Sequence, residues 1–192
     1  MRFDVACWYY VRMIQNDLAS YKVAPLTMIF LVEGDKVLTL KRNEDKKIYP
    51  GKFSGFGGKV EPGEDIEASV RREFEEETGL TIEKMDFRGT FIRILDNGYI
   101  NEMYIFVASG FSGQPLQASD EGTIEWQTIE DFLSHSDTVD HIPRYLEQVI
   151  KGKDFYCGIA EYAKDKLVSY ADNKSHFDER RQGDNRSQSA IA

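Results

Sequence analysis

One predicted helix, residues 64–78, constrains this chain more than any other segment, because its acidic residues adjoin its apolar face. Ile66, Val70 and Phe74 recur every four residues and form the face that packs on a sheet. At about 100° per residue, three glutamates fall within an arc of roughly 100° that overlaps the edge of this face. Carboxylates beside buried surface are costly unless a cation or an arginine neutralises them. The three are Glu73, Glu76 and Glu77.

Two interpretations of this acidic arc are open. It is either a solvated face partly paired with Arg71 and Arg72, or a site for a hard cation. A solvated face should lie opposite the apolar residues rather than beside them, which favours the cation site. Oxygen ligands from several carboxylates suit Mg²⁺ or Mn²⁺. The three histidines are scattered, and we expect them to be surface residues: His135, His141 and His176.

A glycine-rich loop precedes this helix. Gly55, Gly57, Gly58 and Gly63 predict a segment that bends tightly and brings the backbone close to another group. The loop leads from a strand into the N-terminus of an acid-lined helix. Loop and helix together therefore predict the frame of a metal–phosphate site.

The charge balance of the chain restricts its partners. Its 192 residues include 24 Lys and Arg against 33 Asp and Glu, a net charge of -9. An acidic surface repels a phosphate backbone, so we expect no nucleic-acid duplex as partner, whereas a small polyanion can bind where metal ions neutralise it. Apolar runs are too short to span a bilayer, and no signal-peptide pattern is evident. We expect a cytoplasmic protein without a membrane partner, either a monomer or a homodimer.

Three parts of the chain differ in composition. Residues 1–21 form an N-terminal extension in which apolar residues such as Val5 and Met13 fall close to helical spacing, which predicts a short amphipathic helix. Residues 22–170 carry the strand and helix signals of one domain. Residues 171–192 are almost wholly polar, which predicts a disordered tail.

Strand and helix signals alternate along the central domain. Asn97-Gly98 is a strong hairpin signal, and a second helix is predicted from about His141 to Ile150. Several strands with two or three interspersed helices predict an α+β fold or a mixed α/β/α sandwich. The predicted strands are Leu26–Val32, Lys36–Lys41, Phe87–Leu95, Glu102–Ser109, Thr123–Gln127, Phe155–Glu161 and Lys166–Tyr170.

The segment from Gly58 to Leu80 resembles the Nudix box, the signature of the Nudix hydrolase family. The box asks for Gly, Glu, Arg-Glu, an apolar residue, Glu-Glu, Gly and a final apolar residue, and every position is met. Seven exact matches arise by chance on the order of 10⁻⁸ per starting position. The resemblance implies a Nudix-type α/β/α sandwich with a mixed central sheet. It also implies hydrolysis of a phosphoanhydride bond in a small nucleotide substrate, with Mg²⁺ as cofactor and Mn²⁺ as substitute.

The resemblance also implies roles for the matching residues. Arg72 would orient the catalytic glutamates, and Glu64 would lie at the helix start, on the outer shell of the metal or holding the loop. Arg42 and Lys59 are candidate phosphate contacts, although a solvent-facing lysine is the simpler explanation for Lys59. The implied metal ligands are Glu73, Glu76, Glu77 and the carbonyl of Gly57.

A second acidic segment outside the box, Ser119–Trp126, resembles the loop and strand where many family members carry a further glutamate. Glu121 is the candidate for an extra metal ligand or general base. Asp120 is the alternative, and either residue is also explained as part of a turn. The choice between them is open at this point.

The run Gly55–Lys59 resembles the MutT-like branch of the family, the 8-oxo-dGTP diphosphatases, whereas many other branches carry Phe-Pro-Gly-Gly there. This resemblance implies that an oxidised purine dNTP is converted to the monophosphate and pyrophosphate. Ser54 stands where one eukaryotic subgroup has an Asn that reads the base, and this departure puts base recognition in doubt. Asp137 and Asp140 are candidates for a second base contact.

Three alternative functions are open. One is a pyrophosphatase acting on another nucleoside diphosphate-linked substrate, such as ADP-ribose or a dinucleoside polyphosphate. Another is a regulatory domain that binds a nucleotide without hydrolysing it, which the intact set of box glutamates disfavours. The last is an interaction module that uses the aromatic N-terminal segment.

Overall fold

The computed structural model describes residues 22–164 and 166–173. The predicted N-terminal helix lies outside these residues, as does nearly all of the predicted polar tail. The elements are β1 (Lys22–Glu33), β2 (Lys36–Arg42), β3 (Phe53–Ser54), α1 (Ile66–Thr78), β4 (Leu80–Leu95), β5 (Tyr99–Gly113), β6 (Gly122–Thr128), α2 (Ile129–Ser134), α3 (Ile142–Lys151), β7 (Tyr156–Ala163) and β8 (Lys166–Asp172).

The strands form one mixed, curled sheet. Their order is β3-β2-β1-β5-β4-β7-β8, with β6 pairing β2 on its other side. β1 is parallel to β5 and β4 is parallel to β7, whereas the remaining pairs are antiparallel. Since a parallel pair cannot be joined by a tight turn, each needs a crossover that carries helix or further strand. The crossover between β1 and β5 contains α1.

Alternate side chains of β1 face opposite layers, which explains its nearly continuous apolar sequence. Ile29 and Leu31 are buried with the apolar residues of α1. Phe30, between them, is buried in a separate core with the apolar residues of α2 and α3. The sheet is therefore covered by α1 on one face and by α2 and α3 on the other. The predicted α/β/α sandwich with a mixed central sheet is confirmed.

Helix α1 is delimited by local sequence at both ends, close to its predicted limits. The Asp65 side chain caps the N-terminus and accepts a hydrogen bond of 2.8 Å from the Ala68 N–H. Gly79 ends the helix in the left-handed conformation, with φ of 70°, and its N–H donates to the Glu75 carbonyl. These caps fix the register in which the glutamates face the loop before the helix.

Several elements differ from the sequence prediction: β1 and β5 are longer at both ends, and the two-residue β3 was not predicted. β4 begins at Leu80, well before the predicted start at Phe87, because Leu80 and Ile82 are buried while the polar residues Thr81 and Glu83 alternate with them. Register shifts follow at Lys84, which hide the alternation from a sequence pattern. α2 was not predicted, since it has only six residues. None of the helices in the described ranges is long and apolar enough to cross a membrane.

Candidate active site

Three of the glutamates of α1, those of the predicted acidic arc, differ in burial according to their distance from the apolar face. Val70 and Phe74 are fully buried and anchor the helix on the sheet. Glu77 lies beside them and is only 8% exposed. The Glu73 side chain is 19% exposed, whereas the Glu76 side chain is 60% exposed. The acidic arc therefore runs from solvent into the protein, as the helical spacing indicates.

Glu77 is a buried carboxylate that forms no ion pair with any described residue, and the charge of Arg42 acts on it without direct contact. Burial, with a smaller contribution from the neighbouring charges of Glu73 and Glu121, raises its pKa to about 8. A hydrogen bond of 2.9 Å from the Gly57 N–H acts in the opposite direction. One N–H bond does not offset this burial, so a positive charge bound at this position would be strongly stabilised.

Gly57 and Gly58 allow the loop before α1 to approach both β1 and the glutamates. Gly57 has φ of 134°, and a Cβ atom there would lie 2.3 Å from the Thr27 carbonyl oxygen. A Cβ atom on Gly58 would lie 2.4 Å from the carboxyl carbon of Glu73. No described residue donates a hydrogen bond to the Gly57 carbonyl. The predicted close approach of the loop backbone to other groups is confirmed, and the Gly57 carbonyl oxygen is available to bind a ligand.

Arg72 holds three carboxylates in one network. Its Nε and Nη2 atoms donate to the two oxygens of Glu64 at 2.8 and 2.9 Å. Its Nη1 atom donates to Glu73 at 3.0 Å and to Glu76 at 3.3 Å. The hydrogen bonds from Arg72 lower the pKa of Glu64 to about 2. This geometry suits a residue that orients the glutamates, and it leaves Glu77 outside the network.

Glu121 lies at the start of β6, where two cations contact its carboxylate. Arg42 Nη2 is 3.2 Å from one oxygen, and Lys46 Nζ is 2.9 Å from the other. The Asn43 N–H donates to the Glu121 carbonyl at 2.9 Å. The sequence did not indicate that Lys46 pairs with Glu121, because the two residues lie far apart in the chain. The carbonyl of Asp120 accepts a hydrogen bond from the Asn43 side chain.

The donor set of this region fits a hard divalent cation. All the available donors are oxygens, and one of them belongs to a buried carboxylate that is only partly compensated by the Gly57 N–H and by Arg42. In residues 22–164 and 166–173, no three His, Cys, Asp or Glu side chains already stand together as a finished metal site. Glu121 faces Arg42 and Lys46, and Glu76 faces Arg72, so both side chains would have to rotate.

A second cluster, which we call the aromatic cluster, lies on the α3 face of the sheet. The prediction that His141 is a surface residue is wrong: it is 1% exposed. The histidine ends the turn before α3, and its ring stacks on Phe91 with centroids 5.1 Å apart. Burial lowers its pKa. The members of the aromatic cluster are Tyr49, Phe91, Arg93, His141, Tyr145 and Tyr162.

Arg93 inserts a positive charge into the aromatic cluster. Its guanidinium lies 4.8 Å from the ring centre of Tyr162 and 5.4 Å from that of Tyr49, and it donates to the Tyr49 hydroxyl at 2.7 Å. Buried polar atoms of the cluster without a hydrogen-bond partner include Arg93 Nε, His141 Nε2 and the Tyr145 hydroxyl. This cluster was not predicted from the sequence, although an arginine within the apolar run of β4 is a signal for it.

The remaining predicted site residues are spread around these two regions. Ser54 is buried in β3, opposite Leu40 of β2. Asp140 is half-exposed at the aromatic cluster and accepts a hydrogen bond of 3.0 Å from Tyr162. Asp137 forms an ion pair with Lys52 at 3.1 Å instead. The Lys59 side chain is exposed, and its carbonyl accepts hydrogen bonds from Ser69 and Arg72.

Comparison with known proteins assigns this architecture to a family. The model of the NUDIX domain matches residues 23–148. The chain is 32% identical to the Nudix hydrolase YvcI of Bacillus subtilis over 159 residues, 79% of this chain and 96% of that protein. It is 34% identical to the oxidized purine nucleoside triphosphate hydrolase of Danio rerio over 106 residues, 55% of this chain and 66% of that protein.

Solved structures agree with these sequence comparisons. The MutT protein of Bacillus halodurans superposes with a TM-score of 0.71 at 28% identity, covering 79% of this chain and 98% of that one. The MutT Nudix hydrolase of Burkholderia pseudomallei superposes with a TM-score of 0.60 at 26% identity, covering 67% and 98%. With the acidic helix, its glycine loop and the sandwich around them, these likenesses establish that the chain belongs to the Nudix family as a MutT-like hydrolase.

Proposed function

We propose that this hydrolase cleaves a phosphoanhydride bond of a nucleoside triphosphate, with an oxidised purine dNTP such as 8-oxo-dGTP as substrate. Water adds to one phosphorus, and the products are the nucleoside monophosphate and pyrophosphate. The observation that carries this proposal is the buried carboxylate of Glu77 beside the loop carbonyl of Gly57. An acidic protein can hold a polyanion there only together with cations.

Five groups are our proposed ligands of Mg²⁺, for which Mn²⁺ can substitute. A divalent ion held by these groups would neutralise phosphate charge and lower the pKa of a bound water. Arg72 keeps Glu73 and Glu76 in place through its shared guanidinium. The proposed ligands are Glu73, Glu76, Glu77, Glu121 and the carbonyl of Gly57.

Two kinds of side chain complete the proposed chemistry. Glu121 is our candidate for the group that accepts the proton of the attacking water, because its carboxylate lies close enough to affect Glu77. Arg42 and Lys59 are our candidates for contacts with the phosphates, since guanidinium and ammonium groups are the natural partners of phosphate oxygens.

The aromatic cluster supports a purine as the base. Phe91, His141, Tyr145 and Tyr162 are buried within the cluster, so the partly buried Tyr49 ring and the Arg93 guanidinium are the groups that can stack on a purine. Asp140 offers a carboxylate acceptor at the exposed side of the cluster, and an oxidised purine gains a ring N–H that guanine lacks. Ser54 is the second proposed base contact. Relatives from Danio rerio and Mus musculus are named oxidized purine nucleoside triphosphate hydrolases.

The test is a Mg²⁺-dependent product assay on a panel that contains 8-oxo-dGTP, dGTP, the other dNTPs, ADP-ribose and a diadenosine polyphosphate. We expect preferred cleavage of 8-oxo-dGTP with release of pyrophosphate, and loss of activity in EDTA. Asp140→Asn should reduce the preference for 8-oxo-dGTP over dGTP, while Asp137→Asn serves as the control. Preferred cleavage of ADP-ribose or the diadenosine polyphosphate would overturn the proposed substrate. If the folded protein cleaves no compound of the panel, the proposed hydrolysis of these nucleotides is overturned.

A further inference from the structure

Lys46, in the loop between β2 and β3, takes part in an ion pair outside the family signature. Its Nζ atom is 2.9 Å from Oε1 of Glu121, and Arg42 Nη2 is 3.2 Å from Oε2 of the same carboxylate. Glu121 also raises the pKa of Glu77, so it lies within electrostatic reach of the acidic residues of α1. The carboxylate of Glu121 thus contacts two cations and also lies within electrostatic reach of Glu77.

The backbone at Glu121 is fixed, so only its side chain is free to move. The Asn43 N–H donates to the Glu121 carbonyl at 2.9 Å. Gly122, the next residue, packs so closely on β2 that a Cβ atom there would lie 2.0 Å from the Lys41 carbonyl oxygen. Because the chain cannot shift there, a change of partner by the carboxylate has to occur through side-chain torsions.

Lys46 and Arg42 differ in how firmly they are held. Arg42 also donates from Nε to the Ile48 carbonyl at 2.9 Å, which fixes its guanidinium. Among the described residues, the Lys46 ammonium contacts only Glu121. A partly exposed ion pair of this kind contributes little to stability, and the long lysine side chain reorients easily. Lys46 is therefore the partner that can leave.

We propose that Lys46 is an exchangeable tether: it pairs with Glu121 in the free protein and moves to the phosphate chain of the bound nucleotide, which releases Glu121 toward Glu73 and Glu77. The inference rests on the proposed function. A phosphate oxygen replaces the carboxylate as the partner of the ammonium group. The carboxylate in turn joins the acidic cluster, where the cations that accompany the phosphates offset its charge. Lys46 thus positions Glu121 before binding and contacts substrate after it.

The first half of the proposal is tested without nucleotide, by measuring Mn²⁺ binding through the loss of its free-ion paramagnetic resonance signal. Lys46→Met should tighten Mn²⁺ binding by about three- to tenfold, because Glu121 loses a competing cation. Lys47→Met is the matched control, since the Lys47 side chain is exposed and contacts no described residue through a hydrogen bond or ion pair. In a Glu121→Gln background, most of the effect of Lys46→Met should disappear.

The second half is tested by steady-state kinetics on the best substrate of the panel. Lys46→Met should raise KM by about tenfold with a smaller change in kcat, because a phosphate contact is lost. Lys46→Arg should restore KM, since it restores the charge, while Lys47→Met should leave KM unchanged. Thermal unfolding of each variant shows whether its fold is intact.

Each outcome decides one part of the proposal. An unchanged Mn²⁺ affinity in Lys46→Met, or an equal change in the Glu121→Gln background, overturns the tether. Tighter Mn²⁺ binding with an unchanged KM overturns the transfer to phosphate. If the protein hydrolyses nothing in the panel, the proposed function fails, and the Mn²⁺ titrations still decide whether Lys46 competes for Glu121.

Discussion

The two faces of the sheet each bury an ionisable side chain, and they differ in what surrounds it. On the α1 face, Glu77 has two acidic neighbours and one backbone N–H, and its pKa is raised to about 8. On the α3 face, His141 is enclosed by aromatic rings and contacts Asp140 and Tyr162, and its pKa is lowered. Burial drives both groups toward neutrality. Around Glu77 the neighbouring side-chain charges are mainly negative, as a cation site requires, whereas Asp140 beside His141 is accompanied by the positive charge of Arg93.

The largest expected effect comes from removing the charge on the α1 face. Glu77→Gln should lower kcat/KM by about 10³-fold or more, because a neutral amide is a poor ligand for a hard cation. Glu75→Gln, on the same helix but exposed, is the control and should leave kcat/KM within about twofold. Near-normal turnover of Glu77→Gln would remove Glu77 from the metal site and with it the contrast between the faces.

The same substitution should stabilise the protein in EDTA. The pKa of Glu77 in the folded state lies above its ordinary value of 4.5. Glu77 therefore does not lower the free energy of unfolding below pH 4.5, and it lowers this free energy increasingly as the pH rises toward 8. Glu77→Gln removes this cost and should raise the free energy of unfolding by about 1–3 kcal/mol near pH 8. Urea denaturation measures it. A lower free energy of unfolding for Glu77→Gln near pH 8 would show that the surrounding groups compensate the charge of the Glu77 carboxylate well.

A smaller effect is expected from Arg72, which compensates Glu73 and Glu76 but does not hydrogen-bond to Glu77. Arg72→Lys keeps the charge and loses the forked geometry, and it should lower kcat/KM by about 10- to 100-fold. Arg71→Lys is the matched neighbour, because Arg71 pairs with Glu67 and the Ile82 carbonyl away from the cluster. Equal losses of kcat/KM in Arg72→Lys and Arg71→Lys would mean that Arg72 supports the folded structure and does not orient the glutamates.

The smallest effect belongs to the α3 face. The pKa of His141 in the folded protein is lowered from 6.5. Below pH 6.5 the unfolded chain therefore binds a proton at this residue that the folded chain does not bind, and the free energy of unfolding falls as the pH falls. This group should lower the free energy of unfolding by about 1 kcal/mol between about pH 7.5 and 5.5. His141→Phe keeps a ring on Phe91 and should lose that slope in urea denaturation across this range. An unaltered slope would assign the effect to other groups.

Residues that follow one another in sequence made the acidic site predictable. The helix limits and the position of the glutamates beside the apolar face follow from local spacing, whereas the caps at Asp65 and Gly79 were not predicted, although both residue types are typical of caps. The aromatic cluster was not predicted, because it joins residues from the β2–β3 loop, β4, α3 and β7. The burial of His141 was not predicted for the same reason. Its neighbours Phe91 and Tyr162 are distant in sequence, so no local pattern indicates these contacts.

The parallel pairing of β1 with β5 dictates the order in which the protein can assemble during synthesis. β1 pairs along its length with residues from Tyr99 to Ala108, so it must wait for them to leave the ribosome. Until then, Val70 and Phe74 of α1 can pack on the apolar residues of β1 and β2, and their packing on β4 and β5 is incomplete. Such long-range pairing slows folding and prolongs the exposure of apolar segments. Glu121 emerges later still, so no nascent chain holds the complete acidic site before β6 begins.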